Sequence, residues 1–343
     1  MHYTHTIIKR CFYALSFLSA LSPLCGQSRS DKDTLNFCVM SYNVENLFDC
    51  RHDTLKEDYD FLPDAVRHWS YSKYRKKLDH VARVIAAVGG WTPPALVALE
   101  EVENDSVLRD LTRRSALREA GYRYVMTQSP DRRGIDVALL YQRGVFKLIG
   151  AQSIPIPSTD GKQRFRPTRD MLHVSGMLLT RDTLDVFVCH FPSRAGGVKS
   201  TESYRQLAAR QLSTVIDSLF RCRLHPQFLV MGDFNGDCHL FRHPRLHHLL
   251  GDRTEFRKHR FGSYRYQGEW ELIDHIIVSD ALLQPDAPLH ADDRAADVFR
   301  APFLLRDDKK YGGKQPFRTY NGMRYEGGYS DHLPVWARLR VVY

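Results

Sequence analysis

Six short runs of this chain finish or open on residues that can handle a phosphate and a divalent cation. They are "MSYNVEN" (Asn43), "LVALEEVEN" (Glu100, Glu101), "FVCHFPSR" (His190, Ser193, Arg194), "FLVMGDFN" (Asp233, Asn235), "ELIDHIIVS" (Asp274) and "GYSDHLP" (Asp331, His332). Asn, Asp and Glu oxygens suit a hard cation, Mg2+ first, with Mn2+ or Ca2+ as substitutes. Histidines among them suit proton transfer or contact with a phosphate oxygen. Taken singly, each run has a plainer reading. Asn43 caps a turn, "GDFN" and "YSDH" are turns, Glu101 belongs to a solvated acidic helix start, and His190 is a satisfied core histidine. Asp274 resists that reading, because a carboxylate inside a strand of Ile and Leu is costly unless paired.

The elements that position these residues alternate short β-rich runs with amphipathic helices. Strands are expected over 36–44, 95–100, 123–127, 136–141, 145–149, 227–235, 263–267, 270–279 and 333–342, with a hairpin over 171–191. Helices are expected over 74–90, where Leu78, Val81, Ile85 and Val88 share a face, near 104–119, and over 200–220 behind a Ser/Thr cap. Hairpins mixed with helical crossovers predict mixed sheets with helices outside rather than a purely parallel fold. In such α/β arrangements the strand ends gather along one edge and build a site there. Residues 283–328 lack periodicity and read as a long loop, rich in charge, Gly and Pro.

The order Asn, Glu, His, Asp-x-Asn, Asp, Asp-His at these strand ends resembles the endonuclease/exonuclease/phosphatase superfamily. This is the DNase I-like group, which also holds abasic-site endonucleases, sphingomyelinases and inositol-polyphosphate 5-phosphatases. The resemblance runs from "SYNVENLFD" to "YSDHLPVW". It implies an α/β fold, a four-layer α/β/β/α sandwich with two mixed sheets packed face to face. It also implies that Asn43, Glu101 and Asp331 are the metal side of the site, with Glu101 as principal ligand, although this chain has Glu100-Glu101 where the family usually has Gln-Glu. His190 matches the group that hydrogen-bonds the scissile phosphate, with Ser193 and Arg194 assisting. Asp233 and Asn235 match the pair that orients the attacking water, Asp274 the carboxylate that orients a histidine, and His332 that histidine. Either His332 or Asp233 can take the proton of the water. Arg133 in "DRRGIDVALLY", together with Arg318 and Tyr320 in "KQPFRTYNGMRYEGG", combines cation and aromatic character and is expected to shape the substrate groove.

Composition sets the outer bounds. At 343 residues, 43% hydrophobic and 26% charged, the chain is a folded protein rather than a disordered one. Its formal net charge of +9 suits a polyanionic partner, and nucleic acid is the expected substrate. A basic pair (Lys9, Arg10), an apolar run from Cys11 to Leu21 and a cleavage point after Gly26 read as a signal peptide over 1–26. A short linker over 27–35 and one domain over 36–343 follow. Export to the periplasm or the extracellular space is the expectation, without stable membrane insertion, since no later stretch reaches transmembrane length. Five cysteines remain after the leader, in no CxxC pair, and no disulfide pairing or protein partner can be read from them. Cys38 and Cys189 lie in apolar runs and read as small buried hydrophobes. The expected activity is in-line phosphodiester hydrolysis of DNA or RNA. The alternatives are a phosphatase or phospholipase-C-like hydrolase of a lipid or small metabolite, and a catalytically silent binding protein on the same fold.

Overall fold

The computed structural model of the chain describes residues 33–251 and 262–343; the leader expected over 1–26 and most of the expected linker lie outside the described residues. Among the described residues, twelve strands build the two large sheets. In chain order they are β1 Thr34–Leu47, β2 Leu96–Val102, β3 Arg123–Met126, β4 Asp136–Tyr141, β5 Lys147–Ile154 and β6 Met171–Met177. The series continues with β7 Thr183–His190, β8 Phe228–Asp233, β9 Leu246–His248, β10 Asp274–Ser279, β11 Leu289–Val298 and β12 Val335–Val342. The first sheet has the order β11-β12-β1-β2-β4-β3 and the second β5-β6-β7-β8-β10-β9. Each sheet is mixed: β1 runs parallel to β2, and β7 parallel to β8, while their other neighbours are antiparallel.

Period-two alternation explains how the second sheet serves two cores. Val186 and Val188 of β7, with Leu229 and Met231 of β8, face the first sheet. Their alternates Phe187, Cys189, Phe228 and Val230 face a helix, α3, at Glu202–Cys222. That helix contributes Tyr204, Ala208, Leu212 and Ile216, spaced four residues apart so that one stripe is buried. Each fully buried Phe or Leu stabilises by roughly 1.5–3 kcal/mol, so these stripes, rather than propensity, decide where the helices sit. On the opposite side, α1 (Tyr71–Gly89) and α2 (Asp105–Arg113) cover the first sheet. The Asn104 side chain caps α2, accepting from the Val107 N–H at 3.0 Å. The result is the four-layer α/β/β/α sandwich.

Three expectations are corrected. The long loop read over 283–328 contains β11, which pairs with β12 as the edge of the first sheet. Its sequence, "LHADDRAADV", carries few β-branched residues and bulges between Asp292 and Ala296, so it shows no strand signature. Two further ribbons occupy the same region, Leu305–Asp307 with Lys314–Pro316 and Tyr320–Asn321 with Arg324–Tyr325. The helix expected near 104–119 ends at Arg113, and a 3-10 turn at Ala116–Ala120 follows. Finally, Thr201 precedes α3 without a side-chain capping bond; its hydroxyl donates to the Gly197 carbonyl instead.

Candidate active site

Strand register lines up the polar residues. In the second sheet His190 lies opposite Asp233, and Asp233 opposite Asp274, one row across β7, β8 and β10. Gly232 makes that row close: its φ is +147°, and a Cβ there would sit 1.9 Å from the Cys189 carbonyl oxygen. On the facing sheet Asn43 lies opposite Glu100. The Asn43 amide crosses between the sheets and donates to Asp233 Oδ2 at 3.1 Å.

A one-residue irregularity separates the roles of the paired glutamates. The β2–β4 ladder shifts register between Glu100 and Val102, and Glu101 takes a left-handed backbone, φ 66°. Glu100 therefore points between the sheets, fully buried, where it accepts from the Ser41 hydroxyl at 2.8 Å. Burial, then the nearby Asp274, pushes its carboxyl well above the usual range. Glu101 turns instead into a cleft of about 500 Å³. Its Oε2 accepts from the Asn46 N–H at 2.9 Å, and its Oε1 lies 3.9 Å from His190 Nε2.

The last turn is held from below. The Ser330 hydroxyl donates to the Asn43 carbonyl at 2.7 Å and accepts from the His332 N–H at 3.0 Å. This seats His332, 6% exposed, with Nδ1 2.8 Å from Asp274 Oδ2 and Nε2 3.8 Å from Asp233 Oδ2. Burial acts to lower the imidazole's pKa, but Asp274 and then Asp233 outweigh it and hold it well above its ordinary value. Burial raises the Asp233 carboxyl to about 7, against the pull of His332. His190 is driven the other way, well below its ordinary value, by burial and then by Arg169 and Arg133. A charged histidine, a carboxyl titrating near neutrality and a neutral histidine thus share one cleft.

Nearly every residue expected from the sequence is brought together. Asn43, Glu101, Arg133, His190, Ser193, Arg194, Asp233, Asn235, Asp331 and His332 all border the cleft, and Asp274 stands behind His332. Arg194 ion-pairs with Glu271 and donates to the Asn235 carbonyl. Arg318 meets Asp331 at 2.8 Å from the side. Tyr320 is the exception and corrects the expectation that it lines the substrate groove. It is 4% exposed, its hydroxyl donates to the Arg67 carbonyl, and its ring packs among Trp69, Tyr325 and the Arg67 guanidinium. The aromatic wall comes from Tyr264, whose ring centroid is 4.9 Å from that of His332, and from Tyr266.

Three supporting residues were not foreseen. Glu45 accepts from the Thr319 and Tyr320 N–H groups and from Arg318, anchoring the segment before the Asp-His turn. Lys77, 1% exposed, donates to Thr319 Oγ1 and the Tyr329 carbonyl. Its signal was present, a cation on the apolar face between Tyr74 and Val81 of α1. Arg169, in contact with Asp131 and the Phe191 carbonyl, had no such signal.

The donor set fits a hard divalent cation. Glu101 offers Oε1, which accepts no hydrogen bond among the described residues, and Asn43 and Asp331 add amide and carboxylate oxygens around the same cleft. Asp233, Asp274 and His332 also place ligand atoms within 4.8 Å of one another. The 2.8 Å bond between Asp274 Oδ2 and His332 Nδ1 makes a carboxylate–imidazole pair, an arrangement that orients the ring and holds a proton on it.

A family model described as the Endonuclease/Exonuclease/phosphatase family matches residues 38–341. No curated protein sequence matches significantly. Among solved structures, zebrafish (D. rerio) TDP2 complexed with a single-strand DNA product is similar at TM-score 0.52 and 15% identity, over 89% of this chain and 98% of that one. The human Nocturnin catalytic domain with bound sulfate gives 0.52 and 15%, over 92% and 99%. A Bacteroides thetaiotaomicron mannosyl-6-phosphatase gives 0.56 and 17%, over 88% and 99%.

Proposed function

Because the chain belongs to the endonuclease/exonuclease/phosphatase family, we propose that it is a magnesium-dependent phosphodiester hydrolase that cleaves nucleic acid. The observation that carries this reading is the Asp274–His332 pair facing Asp233 across a cleft bordered by Glu101 and Arg133. Glu101, Asn43 and Asp331 would hold the magnesium ion, which when bound neutralises charge on the non-bridging oxygens. The chain's own groups perform the rest. Asp233, with its carboxyl near 7, accepts a proton from the attacking water at neutral pH. Asn235 fixes that carboxylate, its N–H donating to Asp233 Oδ1 at 2.8 Å. His332, kept protonated by Asp274, offers Nε2–H to charge developing on the phosphate, and neutral His190 offers a second donor. The net charge, +9 for the whole chain and 9 − 2 = +7 without Lys9 and Arg10 of the leader, and the cleft-side Arg133 and Arg194 favour a polyanion over a neutral lipid surface. The leader over residues 1–26 adds export to the proposal.

The test sets the purified protein and its His332→Ala variant against plasmid DNA, RNA, sphingomyelin, inositol phosphates, mannose 6-phosphate and bis-p-nitrophenyl phosphate, in magnesium and in EDTA. Cleavage of DNA or RNA that needs the metal and His332 is the expected result. No metal-dependent turnover on any substrate refutes the enzyme reading. Turnover of a monoester or a lipid but of no polymer replaces the nuclease with a phosphatase or phospholipase-C-like hydrolase.

A further inference from the structure

Beside the catalytic cleft lies a larger groove, of about 790 Å³, that no step of the proposed hydrolysis uses. Its walls are two ribbons, Tyr264–Tyr266 with Glu269–Glu271 and Leu305–Asp307 with Lys314–Pro316. Arg265, with its side chain 7% exposed, staples them: it pairs with Asp308 at 2.9 Å and donates to the carbonyls of Gly268, Gly312 and Lys314. Gly268, at φ +90°, brings the first ribbon's turn so close that a Cβ there would sit 2.8 Å from the Tyr311 Cβ. The groove is therefore built by buried contacts, with exposed side chains added along its rim.

Along that rim, cations and aromatics outweigh the one strongly exposed carboxylate, Asp307, which Lys314 meets at 2.7 Å. Lys309 and Lys310 are exposed and have no ion pair among the described residues, and Lys310 Nζ lies 4.9 Å over the Tyr311 ring. Arg324 shares the single carboxylate of Glu326 with Arg306, which leaves positive charge in excess there. Tyr266 and Tyr311 are 56% and 47% exposed, two large aromatic faces open to solvent. Cations interleaved with exposed aromatic faces are what a flexible strand of phosphates and bases requires, and a phosphomonoester of a small sugar would leave most of the groove unused.

The groove is continuous with the cleft. Tyr264 and Tyr266 border both, Tyr264 is bridged to His332, and Arg318 reaches from the groove to Asp331. We infer that this groove is a second subsite holding the single strand of nucleic acid that flanks the scissile phosphate, with Tyr266 and Tyr311 stacking on bases and Lys309, Lys310 and Arg324 meeting phosphates. The inference rests on the nuclease reading and adds that the substrate is an oligomer several nucleotides long.

Binding and turnover are measured separately. A fluorescein-labelled single-stranded 12-mer and a labelled dinucleotide are titrated by anisotropy, in EDTA, against wild type, Lys309→Ala/Lys310→Ala and Tyr311→Ala. Hydrolysis of bis-p-nitrophenyl phosphate in magnesium is followed in parallel. Losing two phosphate contacts should weaken 12-mer binding about tenfold and make the slope of log affinity against log salt shallower by about 1.4. Tyr311→Ala should weaken 12-mer binding at least about fivefold with the salt slope unchanged. Dinucleotide binding and bis-p-nitrophenyl phosphate turnover should stay within about twofold of wild type. Equal 12-mer affinity in wild type and both variants, or wild-type affinity independent of length, overturns the subsite. Wild-type protein that binds the 12-mer through these residues yet hydrolyses nothing refutes the nuclease reading and leaves the groove standing.

Discussion

Asp274→Asn is the most informative single change, because it keeps the shape of the His332 site and removes only its charge. Asp274 Oδ2 is 2.8 Å from His332 Nδ1, and both side chains are buried. Two opposite unit charges about 4 Å apart at an effective dielectric near 20 attract by about 4 kcal/mol. Removing that attraction should lower the His332 pKa. Burial and the remaining Asp233 then compete without the largest stabilising partner. Loss of a charged, oriented histidine should reduce kcat by about 10²- to 10⁴-fold. The assay is a pH–rate profile on bis-p-nitrophenyl phosphate at saturating magnesium, with circular dichroism to verify folding. If His332 acts as the cation, activity falls as pH rises through its pKa; if it acts as the neutral base, activity rises there. In either case the limb belonging to His332 must move to lower pH. A folded variant within threefold of wild-type kcat, with an unmoved limb, refutes the argument that Asp274 sets the charge of His332.

Three further outcomes follow from the same geometry. Glu101→Gln should weaken magnesium binding at least about tenfold by isothermal titration calorimetry while leaving the far-ultraviolet circular dichroism unchanged, since its Oε2 contact to the Asn46 N–H survives in the amide. Tyr320→Phe should cost about 1 kcal/mol of stability in urea denaturation, the worth of its bond to the Arg67 carbonyl, and leave kcat/KM on nucleic acid unchanged. Asp185, held by His173, Arg223 and Ser175 against the effect of its burial, has its carboxyl lowered from 3.8 to about 2. A depressed carboxylate stabilises fully above pH 3.8 and loses that contribution as pH falls toward 2. It amounts to about 2 kcal/mol, so Asp185→Asn should flatten the acid limb of a stability–pH curve between pH 4 and 2.

The parts of the fold that were legible are those whose side chains repeat with a simple period. The continuous apolar runs of β7 and β8 and the four-residue spacing along α3 survive in one dimension, because both faces of those strands and one face of that helix meet a core. Strand β11 was not legible, since its partner β12 supplies the pairing and its own residues alternate only weakly. The same limit explains Tyr320. An aromatic beside an arginine reads as a binding surface until Trp69 and Arg67, some 250 residues away in sequence, are seen to enclose it.

By itself the sequence determined which residue types end the strands, and hence that carboxylates, an asparagine and two histidines would crowd one sheet edge. The order of those residues was also enough to point to the superfamily. Tertiary structure alone decided what each one does there. Glu100 and Glu101 are chemically identical neighbours, and only the register shift at Glu101 buries one and turns the other into the cleft. His190 and His332 are both buried within 4 Å of Asp233, yet they are driven in opposite directions: burial is reinforced at His190 by Arg169 and Arg133, and is outweighed at His332 by Asp274 on its Nδ1. Charge states and facing directions depend on contacts between segments far apart in the chain, and those distances exist only once the two sheets have packed.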